Sequence, residues 1–357
     1  MRTVGAGFLI AVLLLPLCGA EPYLVRPAEL PALARAARGA LSAPVRTVVD
    51  RSHPSPSPDA HNYISYARYY WPNPAKPDGL PYVNQDGHHN LEQVAKGDHE
   101  RLATFCSTVE KLSAAWAVNH DAAAAQRAGE WLRAWFITPS TRMNPNMDYA
   151  QVRLGHDNNR GSPAGVLDSR GFAQVVDALL LLQDSPALTA EEQQTIRTWF
   201  STYLRWLETA KTAKAEHAAK NNHGTWFLAQ AIPIARYVGR DDLARQLCAE
   251  GKERIAQQIK PDGSQPDELR RVDGLGYSIY NLDAYARVAR AAAGLGIDLW
   301  NYTAPNGASL RRALDFLRPY NAAPEKWPLR QKATVKAGFL DKLIAEADAA
   351  AASATRN

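Results

Sequence analysis

Cysteine is scarce in this chain, with three in 357 residues, at positions 18, 106 and 248. That count excludes a disulfide-stapled fold. Cys106 and Cys248, set among apolar helix-like neighbours, read as two buried free thiols or at most one bridge. Beyond residue 20 no stretch offers roughly 18 uninterrupted apolar positions, so nothing there reads as a membrane-crossing helix. The formal charge of +5 is not gathered into any dense Lys/Arg run, which disfavours nucleic acid and leaves a diffuse anionic ligand as the expected partner. Glycine-rich phosphate loops and a nucleophile elbow are missing. His88 and His89 adjoin, but adjacent side chains do not converge easily and no carboxylate–histidine signature accompanies them, so neither metal nor cofactor is expected. Alternating β-branched runs bounded by turns are nearly absent, which argues against a sheet-based fold.

What is present begins with an export signal. Arg2 supplies the positive end, Phe8 to Leu17 the apolar run, and Gly19 and Ala20 the small residues before Glu21. Cleavage after Ala20 predicts a periplasmic or secreted chain, free of the membrane, with residues 21–357 as a single domain. With 46% hydrophobic and 22% charged residues, the chain is long enough for a sizeable core. At about 43–60, Pro44, Pro54, Pro56 and Pro58 predict an extended surface strap. Tyr66, Tyr69, Tyr70 and Trp71 then precede a loop built on Pro72, Pro74, Pro77 and Gly79, a context that suits a ligand platform better than a helix.

Helical periodicity dominates from about Leu91. Ile196, Trp199, Phe200, Tyr203, Leu204 and Leu207 recur at helical spacing, after Thr189 and Glu192 placed as a capping box. A second stripe runs through Ala124, Ala128, Trp131, Leu132 and Trp135. Further helices are expected near 92–119, 172–184, 224–238, 241–259, 277–293, 308–318 and 333–351. Roughly ten helices joined by loops, without a residue-level repeat, predict an all-α fold, a toroid of helical hairpins rather than a stacked solenoid.

Two clusters carry possible chemistry. Lys220-Asn221-Asn222-His223-Gly224-Thr225-Trp226 places amides and an imidazole at a helix entry, where they serve either as caps or as a site. Asp262-Gly263-Ser264-Gln265-Pro266-Asp267-Glu268-Leu269-Arg270-Arg271, followed by Tyr277 and Tyr280, reads either as a solvated turn before core tyrosines or as a second half of that site.

With these motifs, the chain resembles the alginate lyase family of polysaccharide lyases, closest to the branch classed as polysaccharide lyase family 38. The likeness runs from about His61 to Leu282. It rests on His61-Asn62-Tyr63-Ile64-Ser65 with Tyr70-Trp71-Pro72-Asn73-Pro74 and Lys76-Pro77-Asp78-Gly79-Leu80-Pro81-Tyr82; Met143-Asn144-Pro145-Asn146 with Tyr149-Ala150-Gln151; Asn221 to Trp226; and Asp262 through Glu268-Leu269 to Arg271 and Tyr277. In the last motif the family usually has a small residue where Arg270 stands, and a second arginine, later followed by histidine, where Asp273 and Gly276 stand. The spacing after Glu268-Leu269 assigns the family's arginine to Arg271, with Arg270 the alternative.

The resemblance implies an (α/α) toroid and a metal-independent β-elimination on an anionic polysaccharide, alginate rich in mannuronate or a glucuronan, leaving a C4–C5 double bond. Such a reaction needs the uronate carboxylate neutralised before the C5 proton can leave, and Asn222, His223 and Arg271 offer donors and positive charge for that. By resemblance Tyr277 both takes the C5 proton and protonates the departing O4, with Arg271 and His223 expected to lower its pKa, while His223 is the base for the opposite C5 configuration. Tyr70, Trp71, Tyr149 and Trp226 are either a sugar platform or core aromatics, and Asn144, Asn146, Gln151 and Arg170 are candidates for hydroxyl and carboxylate contacts. Two rival readings remain: a helical-toroid glycoside hydrolase pairing Asp168 with Asp267 or Glu268, and a non-catalytic polyuronate-binding protein.

Overall fold

The computed structural model describes residues 21–354, so the expected export signal, Cys18 included, lies outside the described residues. In chain order the helices are α1 (Leu30–Ala36), α2 (Leu91–Ala95), α3 (His99–Asn119), α4 (Ala122–Phe136), α5 (Phe172–Leu181), α6 (Ala190–Thr209), α7 (Lys211–His217), α8 (Asn222–Tyr237), α9 (Asp241–Gln258), α10 (Pro266–Leu269), α11 (Gly274–Ala293), α12 (Leu310–Leu317) and α13 (Asp341–Ala354). An inner row is formed by α3, α5, α8 and α11, each packed on the next. Outside it, α4 backs α3, α6 contacts α4 and α8, α9 contacts α8 and α11, and α12 backs α11. The result is the expected toroid of helical hairpins.

Local rules account for the clearest elements. Thr189 and Glu192 form the capping box of α6, and every position of its predicted stripe, from Ile196 to Leu207, is buried. That stripe meets α3, α4 and α5 in an aromatic core. Phe105 stacks on Trp135 at 4.5 Å between ring centroids, and Phe136 lies 4.6 Å from Trp199. Burying each such ring contributes about 1.5–3 kcal/mol. Helix α8 is buried without a break from Gly224 to Ala235, so it must have neighbours on every side.

Three expectations need correction. The helix expected near 92–119 is interrupted at Lys96–Asp98, because Gly97 passes beneath β1 (Ile64–Tyr66), where a Cβ would lie 2.9 Å from the Ile64 carbonyl. The fully buried Asp98 there accepts from the Ile64 N–H and pairs with Arg51. The helix expected near 333–351 starts at Asp341, and residues 331–333 instead tie down to α11. Four short strands also form among the described residues. β1 runs parallel to β4 (Tyr149–Val152), and β2 (Tyr70–Trp71) runs antiparallel to β3 (Val83–Asn84). At two to four residues they are too short to leave an alternating pattern. Cys106 and Cys248 are buried free thiols, and burial pushes the Cys248 thiol up to about 11.

The N-terminal segment clasps the ring. The N–H groups of Tyr23, Leu24 and Val25 all donate to the Asp177 carboxylate on α5, at 2.6–2.8 Å. Arg290 on α11 donates to the Leu24 carbonyl, and Arg236 on α8 covers the Tyr23 ring at 3.9 Å. One carboxylate thus fixes a bent segment against three inner helices. Asp177→Ala orphans three backbone donors at about 1–3 kcal/mol each when buried. The expected result is a loss of several kcal/mol in chemical denaturation, and an unchanged midpoint would show that the clasp carries no stability.

Candidate active site

A cleft of about 850 Å³ opens between the loops at residues 67–89, the segment 151–170, the N-terminus of α8 and the α10–α11 junction. It brings together Asn222, His223, Arg271 and Tyr277, with Tyr70, Gln151 and Arg170 on its walls.

The N-terminus of α8 supplies the first two. Asn221 is the N-cap, its side chain accepting from the His223 N–H at 3.2 Å. Gly224 is required there, because a Cβ would stand 2.1 Å from an Arg254 nitrogen and 2.2 Å from the Ala219 carbonyl. The Asn222 N–H and side-chain amide both donate to the buried Glu268 carboxylate, at 2.7 and 2.6 Å. This leaves one amide hydrogen of Asn222 for a ligand. Burial raises the Glu268 carboxyl against the pull of those bonds. His223 Nδ1 lies 2.6 Å from Glu216, a buried carboxyl on α7 that burial likewise raises. With Nδ1 engaged, Nε2 is the nitrogen open to chemistry.

The other half comes from the α10–α11 junction. Arg271 donates to the Tyr277 hydroxyl at 2.9 Å, covers its ring at 4.0 Å and reaches Asp86 at 3.2 Å. Across the cleft, the Tyr69 hydroxyl stands 3.3 Å from that of Tyr277. Here an expectation fails in its sign. Burial and the Tyr69 hydrogen bond raise the Tyr277 pKa; Arg271 pulls it down but does not prevail. At rest Tyr277 is therefore a neutral phenol, ready as an acid before it is ready as a base.

The two arginines separate cleanly. The Arg270 side chain is 73% exposed, pairs with Asp267 and points away from the cleft lining, whereas that of Arg271 is 26% exposed and lines the cleft. Five expected contact residues do not line it: the polar groups of four are committed elsewhere, and the fifth, Trp226, is packed behind the wall. Trp71 donates to the His88 carbonyl. Asn144 holds Asp59 and Asn62, and Asn146 also holds Asn62. Tyr149 is buried and accepts from Arg160. Trp226 is buried beside Tyr280, with the guanidinium of Arg170 at 5.8 Å and that of Arg287 at 5.4 Å from its ring. It therefore supports wall residues rather than meeting solvent.

Gln151 reaches the wall with a left-handed backbone, φ 50°, held by donation from its amide to Asp168 and from its N–H to Ser65. Asp168 also accepts from Tyr63 and Ser65, Glu268 holds Asn222 with both of its oxygens, and Asp267 pairs with Arg270. None of the three carboxylates proposed for hydrolysis is poised as a free acid or base. Sequence reasoning counted Tyr69 among the platform aromatics without selecting it for the site, set His89 aside as a metal ligand, and missed Arg68, Arg153 and Glu216, all at the cleft. Tyr69 adjoins the chosen Tyr70 and could have been included; Glu216 lies across a helix break from His223 and leaves no periodic signal.

A sequence profile of the alginate lyase family matches residues 47–327. An alginate lyase from Bacteroides ovatus is similar in structure, with a TM-score of 0.82 and 36% identity over 90% of this chain and 83% of that one. Alginate lyase A1-III from Sphingomonas species A1 gives 0.57 and 17% identity over 90% and 85%. A variant of alginate lyase A1-III complexed with a tetrasaccharide gives 0.56 and 17% over the same shares. These last two likenesses speak to the fold alone. No curated protein matches the sequence.

The arginine geometry yields a test. A guanidinium presents two parallel donors to a carboxylate and an ammonium does not. Arg271→Lys should lower the rate constant for polysaccharide cleavage more than the affinity, while Arg270→Lys should alter only salt dependence. Severe impairment of the Arg270 variant beside a normal Arg271 variant would reverse the assignment.

Proposed function

The chain belongs to the alginate lyase family and is a polysaccharide lyase, and from that premise we propose that it cleaves a 1,4-linked polymer of mannuronate or glucuronate by metal-independent β-elimination in this cleft. The observation that carries the reading is the Arg271 guanidinium, held on the Tyr277 phenol with Asp86 as its resting counterion. A substrate carboxylate is the natural replacement for Asp86. Arg271, the remaining amide hydrogen of Asn222 and His223 then face the charge that develops as the C5 proton leaves.

The bond changes are simple. The base takes the C5 proton, the electron pair forms the C4–C5 double bond, the C4–O4 bond breaks, and the departing O4 receives a proton. Tyr277, neutral at rest, supplies the proton to O4. For C5–H on the same side as O4, the phenol first passes its proton to solvent or His223 and then acts at both atoms. For the opposite configuration, His223 Nε2, with Glu216 behind its Nδ1, takes the C5 proton. Mannuronate and glucuronate share the C4 and C5 arrangement and differ at C2, so one machinery serves both. The likeness to the family-38 branch supports the same substrates. With residues 1–20 removed, the enzyme would act in the periplasm or outside the cell.

Two measurements test this. On a panel of alginate, poly-mannuronate, poly-guluronate and glucuronan, new ultraviolet absorbance should arise on mannuronate- or glucuronate-containing polymers, and Tyr277→Phe should nearly abolish it while retaining binding. Survival of more than about a tenth of the rate moves proton transfer to another group, His223 first. Chelation by EDTA should leave the rate unchanged, since organic donors neutralise the carboxylate. Loss of activity restored by a divalent ion would overturn the metal-independent route.

A further inference from the structure

One end of the cleft is crossed by a segment that lies beyond the family-matched residues 47–327. Gln331 accepts from the Leu275 N–H at 3.1 Å, and the N–H groups of Lys332 and Ala333 both donate to Asp273, at 2.6 and 2.7 Å. These bonds seat residues 331–333 on the N-terminus of α11, where Ala333 becomes part of the cleft lining. From there the Lys332 ammonium reaches over to the opposite wall and donates to the Gly87 carbonyl at 3.0 Å. Asp273 is central to this seat. It stands where the motif of the resembled family usually has an arginine, and a guanidinium accepts no hydrogen bond, so it could not hold those two N–H groups.

Two more contacts span the walls beside it, Arg271 to Asp86 and Tyr69 to Tyr277. Both use groups that substrate displaces or engages. The Lys332 bridge involves neither reacting group, so it persists when the cleft is filled. With the peptide seated on one wall and the Lys332 side chain latched to the other, a polymer cannot be laid sideways into this end of the cleft. Whether it stops at the strap or threads beneath it, it must enter by an end.

We propose that residues 331–333 are a strap, latched by Lys332, that confines the enzyme to attack from polymer chain ends. This rests on the polyuronate-lyase reading. The amino-acid chemistry of the latch is modest, a single exposed hydrogen bond backed by the seat on Asp273, and this makes it removable without touching the reacting groups.

The test follows viscosity and ultraviolet absorbance together during digestion of the best polymer of the panel, with products sized by chromatography. The wild-type protein should build absorbance with little early loss of viscosity and release short unsaturated products from the start. The double variant Gln331→Ala/Lys332→Ala should lose viscosity several-fold faster per double bond formed and yield long intermediates, and Lys332→Arg should behave as wild type. A wild-type enzyme that thins the polymer at low conversion overturns the proposal while leaving the lyase reading intact. Identical product patterns for wild type and double variant also overturn it. Absence of ultraviolet product on every polyuronate instead sinks the lyase reading itself.

Discussion

The architecture depends on one helix that solvent does not reach along its length. From Gly224 to Ala235 every residue of α8 is buried, and α5, α6, α7, α9 and α11 surround it. A helix enclosed in this way meets water only at its ends, and its first turn carries N–H groups that intrahelical bonds cannot satisfy. Asn221 and Glu268 satisfy two of them. The same turn carries Asn222 and His223 into the cleft, so these two cleft residues sit where the buried helix has to surface.

Around that turn, the buried carboxylates are taken up by the cleft's own side chains, and guanidinium groups line the open face. Glu216, Glu268 and Asp168 are buried carboxylates, each occupied by a donor from a cleft residue. Left unpaired, such groups would be costly, and paired they hold His223, Asn222 and Gln151 in place. Facing outward are the guanidinium groups of Arg68, Arg153, Arg170 and Arg271, with the His89 and His223 rings among them; burial and the neighbouring Arg68 and Lys332 lower the His89 pKa and keep that ring neutral. The overall charge of +5 hardly hints at this, because the asymmetry arises from orientation and not from composition. The cleft thus presents guanidinium groups beside carboxylates that its own side chains already occupy. Asp86 and Asp273 depart from the pattern, and both sit at the end of the cleft where the walls are tied together.

Elements written in local signals were legible in the sequence. The capping box and apolar stripe of α6 involve residues within one helix, and they appear as read. The Asn222–His223 and Arg271–Tyr277 motifs were also visible, because each lies within a few residues of chain. Roles that depend on a distant partner were not. Trp226 and Tyr149 carry the residue type of a sugar platform, yet Tyr280 and Arg160 claim them. Nothing local distinguishes an aromatic that meets solvent from one that supports its neighbour.

The sequence by itself determined the helical class, the export-signal expectation, the family likeness and the four residues that gather at the cleft. Those properties reside in periodicity, capping and short motifs, which are set by bonds within a few turns of chain. The tertiary structure alone excluded Arg270, the alternative that the sequence left open, and decided that Tyr277 rests as a neutral phenol and that the Lys332 side chain bridges the walls. Each of these depends on burial or on partners far away in sequence. Desolvation outweighs the nearby guanidinium at Tyr277, and Asp273 meets Lys332 only after the ring has folded.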